Sequence, residues 1–136
     1  MVPQNPNADR TILFAEDDER VRKFVAATLV RCGYNLILAE DGKSALEKAN
    51  QYAGHIHLLL SDIEMPGMTG IELAIQLNQA RPETKILLIS GLASGMLVLN
   101  NGWQFLPKPF VGEMLVDRIR DFLAKQPPIQ GHAPGA

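Results

Sequence analysis

The sequence lacks the features that mark several large classes of protein. Cys32 is its only cysteine, which excludes an intramolecular disulfide and a cysteine-based metal cluster and agrees with a reducing compartment. The formal net charge is −2, and the basic residues form no stripe that would predict nucleic-acid binding. No apolar run approaches the roughly 20 residues of a membrane-spanning helix. The N-terminus has neither the basic nor the apolar region of a signal peptide. We therefore expect a cytoplasmic protein that binds neither nucleic acid nor membrane.

What remains is the composition of one ordinary globular domain. The chain has 136 residues, of which 46% are hydrophobic and 21% are charged, and this length is enough to bury a core without disulfides or metals. Residues 1–9 are predicted to form a disordered N-terminal tail, and residues 126–136 have the composition of a disordered tail or linker. The folded domain is therefore predicted to span residues 10–125.

Short apolar runs alternate with segments of helical periodicity along this domain. Buried strands are predicted at 11–15, 34–39, 57–61, 85–90 and 104–106. Helices are predicted at 43–52, 70–80 and 111–125, and a first helix is predicted between a cap at Asp17 or Asp18 and a stop at Gly33. A further helix between the fourth and fifth strands must be short or irregular, because the glycine-rich segment 91–103 leaves room for about two turns. This alternation predicts a doubly wound α/β fold with a five-stranded parallel sheet and five helices. The first helix is predicted to bury Phe24, and the last helix is predicted to bury Met114.

Charged residues follow three of the predicted strands. Asp62 ends the apolar run of the third strand and precedes a turn, while Glu16, Asp17 and Asp18 follow the first strand. Lys108 lies between two prolines after the last strand. The carboxyl ends of parallel strands share one edge of the sheet, where open α/β folds bind their ligands. Carboxylates and one lysine at that edge suit a divalent metal and a phosphoryl group, whereas Asp18 is predicted only to cap the first helix.

Four motifs together resemble the receiver domain of two-component response regulators. They are Glu16-Asp17, Asp62 with the following Met-Pro-Gly-Met-x-Gly, Ser90, and the run from Pro107 through Lys108 and Pro109 to Phe110. Each motif is weak alone, but all four occur in the family's order and each follows a predicted strand. The resemblance covers residues of about 10–125. It implies a flavodoxin-like sheet order of 2-1-3-4-5.

The resemblance implies that Asp62 accepts a phosphoryl group from a phosphohistidine on a partner histidine kinase or phosphotransfer protein. Glu16 and Asp17 would hold Mg²⁺ together with Asp62, and the backbone carbonyl of Glu64 would add a ligand. Oxygen ligands of this kind suit Mg²⁺, which keeps several waters. Such a domain catalyses its own phosphorylation and dephosphorylation and is not an enzyme with a separate substrate.

The resemblance also implies roles for residues after the fourth and fifth strands. Ser90 and Lys108 would each contact a phosphoryl oxygen, and Phe105 would be the aromatic switch residue that turns inward when Ser90 moves. The Lys108–Pro109 bond would be cis, as in the family. The phosphorylated form would then act by altering its contacts with a downstream protein. Phe105 also fits a purely structural role, because an aromatic side chain in a last strand usually packs in the core.

Three alternatives stay open at this point. A flavodoxin-like binding domain would have a phosphate loop after the first strand, where this chain carries acidic residues. A phosphatase of the aspartyl-phosphate type would need an Asp-x-Asp motif after that strand, and none is present. A degenerate receiver would act only as an interaction module. The short segment between the fourth and fifth strands is typical of receivers in hybrid sensor kinases and of some stand-alone ones.

Overall fold

The structure, a computed structural model, describes residues 7–91 and 102–125, and it has the predicted α/β architecture. The strands are β1 (Thr11–Ala15), β2 (Asn35–Ala39), β3 (Leu58–Asp62), β4 (Lys85–Ser90) and β5 (Gln104–Pro107). The helices are α1 (Glu19–Arg31), α2 (Gly42–Gln51), α3 (Gly70–Ala80) and α4 (Gly112–Ala124). None of the helices among the described residues combines the length and the hydropathy that a membrane span requires.

All five strands are parallel and lie in the order β2-β1-β3-β4-β5, which confirms the predicted topology. The pairing register fixes which strand ends lie side by side. Ala15 pairs with Ser61, and Asp62 pairs with Ile89. The last residues of β1, β3 and β4 therefore meet at one edge of the sheet. These strand ends and the loops that follow them carry the candidate site.

Each face of the sheet carries its own hydrophobic core. Alternate residues of the central strands point to opposite faces, so Leu58 and Leu60 pack on one side and Leu59 on the other. The first core lies under α1 and α4, and the second lies under α2 and α3. Because both faces are covered, the central strands are apolar on both sides, as the sequence indicated.

The described residues contain four helices, and the predicted short helix between β4 and β5 falls on residues 92–101, outside them. Most of the predicted tails, residues 1–6 and 126–136, lie outside them as well. Two predictions of burial were wrong. Phe24 is 56% exposed and Met114 is 48% exposed, because each lies at the margin of its helix's apolar stripe and not at its centre.

Candidate functional site

The site begins with two buried carboxylates at the ends of β1 and β3. Glu16 directly follows β1 and is 1% exposed, while Asp62 is the last residue of β3 and is 3% exposed. Asp17 is exposed beside them. One ligand oxygen from each of these three residues lies within 4.8 Å of the other two. The structure thus brings together the three side chains predicted to hold a metal.

Local hydrogen bonds hold Glu16 in place while leaving part of its carboxylate unsatisfied. The backbone N–H of Asp18 donates to Glu16 Oε2 at 3.0 Å, and the Arg22 guanidinium donates to the Glu16 carbonyl at 2.8 Å. Asp18 itself accepts from the backbone N–H groups of Arg20 and Val21, so it caps α1 as predicted. This leaves Glu16 and Asp17 as the members of the acidic run that face the site.

Two buried oxygens of the site have no hydrogen-bond partner in the described part of the chain, namely Glu16 Oε1 and Asp62 Oδ1. Buried carboxylate oxygens are normally paired, because desolvating an unpaired one is costly. Two such oxygens beside the exposed carboxylate of Asp17 form a donor set of hard anionic oxygens. A divalent cation such as Mg²⁺ fits this set, since it prefers oxygen ligands and would satisfy both buried atoms.

The electrostatics of the site follow from this burial. The pKa of Glu16 is raised from 4.5 to about 7, chiefly by burial, while the hydrogen bond from Asp18 lowers it and the charge of Asp62 raises it further. Burial also raises the pKa of Asp62. The charge of Lys108 lowers this pKa, and the neighbouring carboxylates raise it. Ionising both carboxyl groups at once is therefore unfavourable in the folded protein, and a bound cation would offset this cost by its positive charge.

Lys108 supplies the positive charge of the site. Its Nζ lies 3.2 Å from Asp62 Oδ1 and 3.3 Å from Oδ2, and only the second contact has hydrogen-bond geometry. The Lys108 backbone N–H donates to the Ser90 carbonyl at 2.9 Å, which fixes the loop after β5 against the end of β4. The Lys108–Pro109 peptide bond is cis, which confirms that prediction. A flexible ammonium beside a carboxylate can stabilise an additional anionic group there.

Ser90, Glu64 and Phe105 complete the predicted set. Ser90 is buried at the end of β4, and its hydroxyl donates to Glu64 Oε2 at 2.9 Å. Glu64 was expected at the site through its backbone carbonyl, and the sequence reasoning missed this side-chain contact. Phe105 lies in β5, where it pairs with Leu88, and its partly buried side chain packs against the core under α2 and α3.

Gly70 is a further residue whose importance sequence reasoning missed. A Cβ at this position would lie 2.2 Å from the carbonyl oxygen of Asp62 and 2.9 Å from its carbonyl carbon. The start of α3 can therefore pack against the backbone of the candidate nucleophile only if residue 70 has no side chain. The capping box of Thr69 and Glu72 fixes that start. The glycine that closes the Met-Pro-Gly-Met-x-Gly motif was the signal that could have identified it.

Comparison with known proteins decides the family. The sequence model of the family described as the response regulator receiver domain matches residues 12–120, which include every candidate residue of the site. The chain belongs to this family. It is thus a phosphorylatable signalling switch of the two-component type.

Individual relatives show two settings for such a domain. The receiver protein CpdR of Brucella abortus is 36% identical over 118 residues, which cover 84% of this chain and 97% of CpdR. The sensor kinase CckA of the same organism is 32% identical over 120 residues, which cover 85% of this chain but only 13% of the kinase. The solved structure of the response regulator TrrA of Thermotoga maritima, in complex with Mg²⁺ and BeF, has a TM-score of 0.74 at 27% identity and covers 83% of this chain and 98% of TrrA.

Proposed function

We propose that Asp62 is the phosphoryl acceptor of this receiver domain and that residues 10–125 form the switch. The observation that carries the proposal is the position of its carboxylate. It is buried at the end of a central strand, between the acidic pair of Glu16 and Asp17 and the ammonium of Lys108, with one oxygen lacking a hydrogen-bond partner in the described part of the chain. A buried carboxylate held only to stabilise the fold normally has both oxygens hydrogen-bonded.

The chemistry asked of Asp62 is an in-line displacement at phosphorus. A carboxylate oxygen of Asp62 bonds to phosphorus while the bond to the donor's imidazole nitrogen breaks, and the bonding electron pair leaves with that nitrogen. Catalysis of such a transfer is mainly positioning and neutralisation of charge. Lys108 already lies within 3.3 Å of both carboxylate oxygens, so its ammonium can pair with a phosphoryl oxygen after a small movement. Later attack by water on phosphorus would break the bond from phosphorus to the Asp62 oxygen, releasing inorganic phosphate and regenerating the free carboxylate.

Glu16, Asp17 and Asp62 would hold Mg²⁺, with the backbone carbonyl of Glu64 as a further ligand. Two buried oxygens without a hydrogen-bond partner in the described residues and the raised pKa of Glu16 support this assignment, as does the Mg²⁺ in the complex of the similar regulator TrrA. Bound there, the ion would neutralise the negative charge that the carboxylates and the phosphoryl oxygens share. The chain's own part is to keep these carboxylates fixed and close together before any donor arrives.

Two residues would convert the modification into a signal. Ser90 would turn its hydroxyl toward a phosphoryl oxygen on Asp62, and Phe105, which is only partly buried in β5, would turn inward in response. Receiver domains interact with histidine kinases or phosphotransfer proteins, and a phosphohistidine on such a protein is the proposed donor. The downstream partner is proposed to be a protein that distinguishes the two positions of Phe105. A degenerate receiver, which is not phosphorylated, would not need all of these acceptor-site residues.

Intact-mass spectrometry after incubation with Mg²⁺ and acetyl phosphate tests the proposal. The protein should gain the mass of one phosphoryl group, and Asp62→Asn should gain none, because the amide is not a nucleophile. Asp18→Asn is the matched control, since asparagine also caps helices well and the variant should be labelled normally. Undiminished labelling of Asp62→Asn would refute the assignment of the acceptor.

A further inference from the structure

The Ser90 hydroxyl is held by a negatively charged group in the unphosphorylated protein. Its Oγ donates to Glu64 Oε2 at 2.9 Å, and Ser90 is 5% exposed whereas Glu64 is exposed. The sheet register brings the backbones of these two residues close together. The Ile63 N–H donates to the Ile89 carbonyl, so the residues that come next, Glu64 and Ser90, leave their strands side by side.

A serine hydroxyl has one proton to donate. When that proton is bonded to Glu64, it cannot also be bonded to an oxygen of a phosphoryl group on Asp62. Both acceptors are anionic oxygens, and charge-assisted hydrogen bonds are stronger than neutral ones. The two acceptors therefore compete for the same proton, and the outcome decides where the Ser90 side chain points.

We propose that Glu64 is a positioning residue whose carboxylate accepts the Ser90 hydrogen bond in place of a phosphoryl oxygen. It holds Ser90 in its inactive position until a phosphoryl oxygen on Asp62 displaces the Glu64 carboxylate. The inference rests on the proposed function, because it needs Asp62 as the acceptor. Its consequence is that the Glu64 side chain opposes activation. Part of the free energy gained by the phosphoryl contact to Ser90 is spent in breaking the existing hydrogen bond.

Glu64 also acts on the site through its charge alone, because it raises the pKa of Asp62. A test must therefore separate the hydrogen bond from the charge. Removing Glu64 in the presence and in the absence of the Ser90 hydroxyl does this, since the charge effect is common to both backgrounds and the competition exists only when the hydroxyl is present.

The experiment measures the affinity of the whole chain for beryllofluoride, a phosphoryl mimic, by calorimetry in saturating Mg²⁺. Glu64→Ala should bind the mimic roughly five- to tenfold more tightly than the unaltered protein, the factor expected for loss of one competing hydrogen bond of ordinary strength to an exposed carboxylate. In the Ser90→Ala background the same substitution should change affinity much less. Glu64→Gln keeps an acceptor oxygen and removes the charge, so it should tighten binding by less than Glu64→Ala. Glu40→Ala, which removes an exposed carboxylate that follows β2, is the control for charge at this edge of the sheet.

Equal tightening in both backgrounds would show a charge effect only and would overturn the inference, as would no tightening in either. Asp62→Asn separates the failure of this inference from the failure of the proposed function. If Asp62→Asn binds beryllofluoride as well as the unaltered protein does, or if neither binds it, the assignment of Asp62 is wrong. If Asp62→Asn alone loses binding and the Glu64 effect does not depend on Ser90, only the competition is refuted.

Discussion

Replacing Glu16 by glutamine should stabilise the metal-free protein above neutral pH while weakening its response to Mg²⁺. Burial is the main reason that the Glu16 pKa rises from 4.5 to about 7. At roughly 1.4 kcal/mol for each pH unit between these values, keeping Glu16 ionised in the folded protein costs about 3 kcal/mol. Because the folded state binds the proton more tightly, stability falls as pH rises from 4.5 to about 7, and the whole cost is present above that range.

Glutamine avoids this cost because it does not ionise, although its amide needs a new hydrogen-bond partner. We therefore expect Glu16→Gln to raise the free energy of unfolding by about 1–3 kcal/mol at about pH 8 in the presence of a chelator. Urea unfolding with and without Mg²⁺ measures both effects. The unaltered protein should gain about 2.7 kcal/mol when the Mg²⁺ concentration is a hundredfold above its Kd, and the variant should gain much less.

Glu47→Gln is the control for this experiment, because Glu47 is exposed on α2 and its substitution should change neither measurement appreciably. A Glu16→Gln variant that is less stable than the unaltered protein in the chelator would refute the reasoning. It would mean that the buried carboxylate is already satisfied without a cation.

Three further substitutions test the backbone of the site and the opposite edge of the sheet. Gly70→Ala should lower the free energy of unfolding by about 2 kcal/mol or more, because its Cβ would lie 2.2 Å from the Asp62 carbonyl oxygen. Gly91→Ala should change the free energy of unfolding by less than about 0.5 kcal/mol, because a Cβ on residue 91 would come no closer than 3.9 Å to the Lys108 side chain. Similar urea midpoints for the Gly70 and Gly91 variants would contradict this expected difference. His57 Nδ1 accepts the Thr11 N–H at 3.0 Å, and burial lowers the His57 pKa below 6.5, so stability should be lost as pH falls below that value. His57→Asn keeps a hydrogen-bond acceptor that does not titrate, so it should remove this part of the loss of stability in acid. If the variant and the unaltered protein lose the same free energy of unfolding between about pH 8 and 5 in urea, the imidazole is not responsible.

The fold was predictable because local sequence signals agree with the tertiary structure. The helix from Gly70 to Ala80 has the predicted bounds, since Thr69 caps its start and the proline at position 82 follows its end. The strands β1 and β4 also have the predicted bounds. The boundaries of the remaining elements differ by a residue or so, because the ends of helices and strands depend on neighbouring packing. The sheet order, by contrast, came from the family resemblance, since alternation of strands and helices alone permits more than one order.

The candidate site was predictable to the extent that polar residues at strand ends converge in any parallel sheet. The convergence of Asp62 with Glu16 and Asp17 follows from that rule. The contact between Glu64 and Ser90 could not be predicted, because it depends on how a side chain in a loop reaches across to the next strand. The exposure of Phe24 was missed for a related reason, since helical periodicity identifies a stripe but does not say how far the partner helix covers it.

The measurement that tests the central claim most directly is a crystal structure of the protein grown with Mg²⁺ and beryllofluoride. The account predicts that beryllium is bonded to a carboxylate oxygen of Asp62, that the metal ion is held by Glu16, Asp17 and Asp62, and that Lys108 contacts a fluoride. Beryllofluoride bound to another carboxylate, or a metal ion held without Glu16 and Asp17, would contradict it.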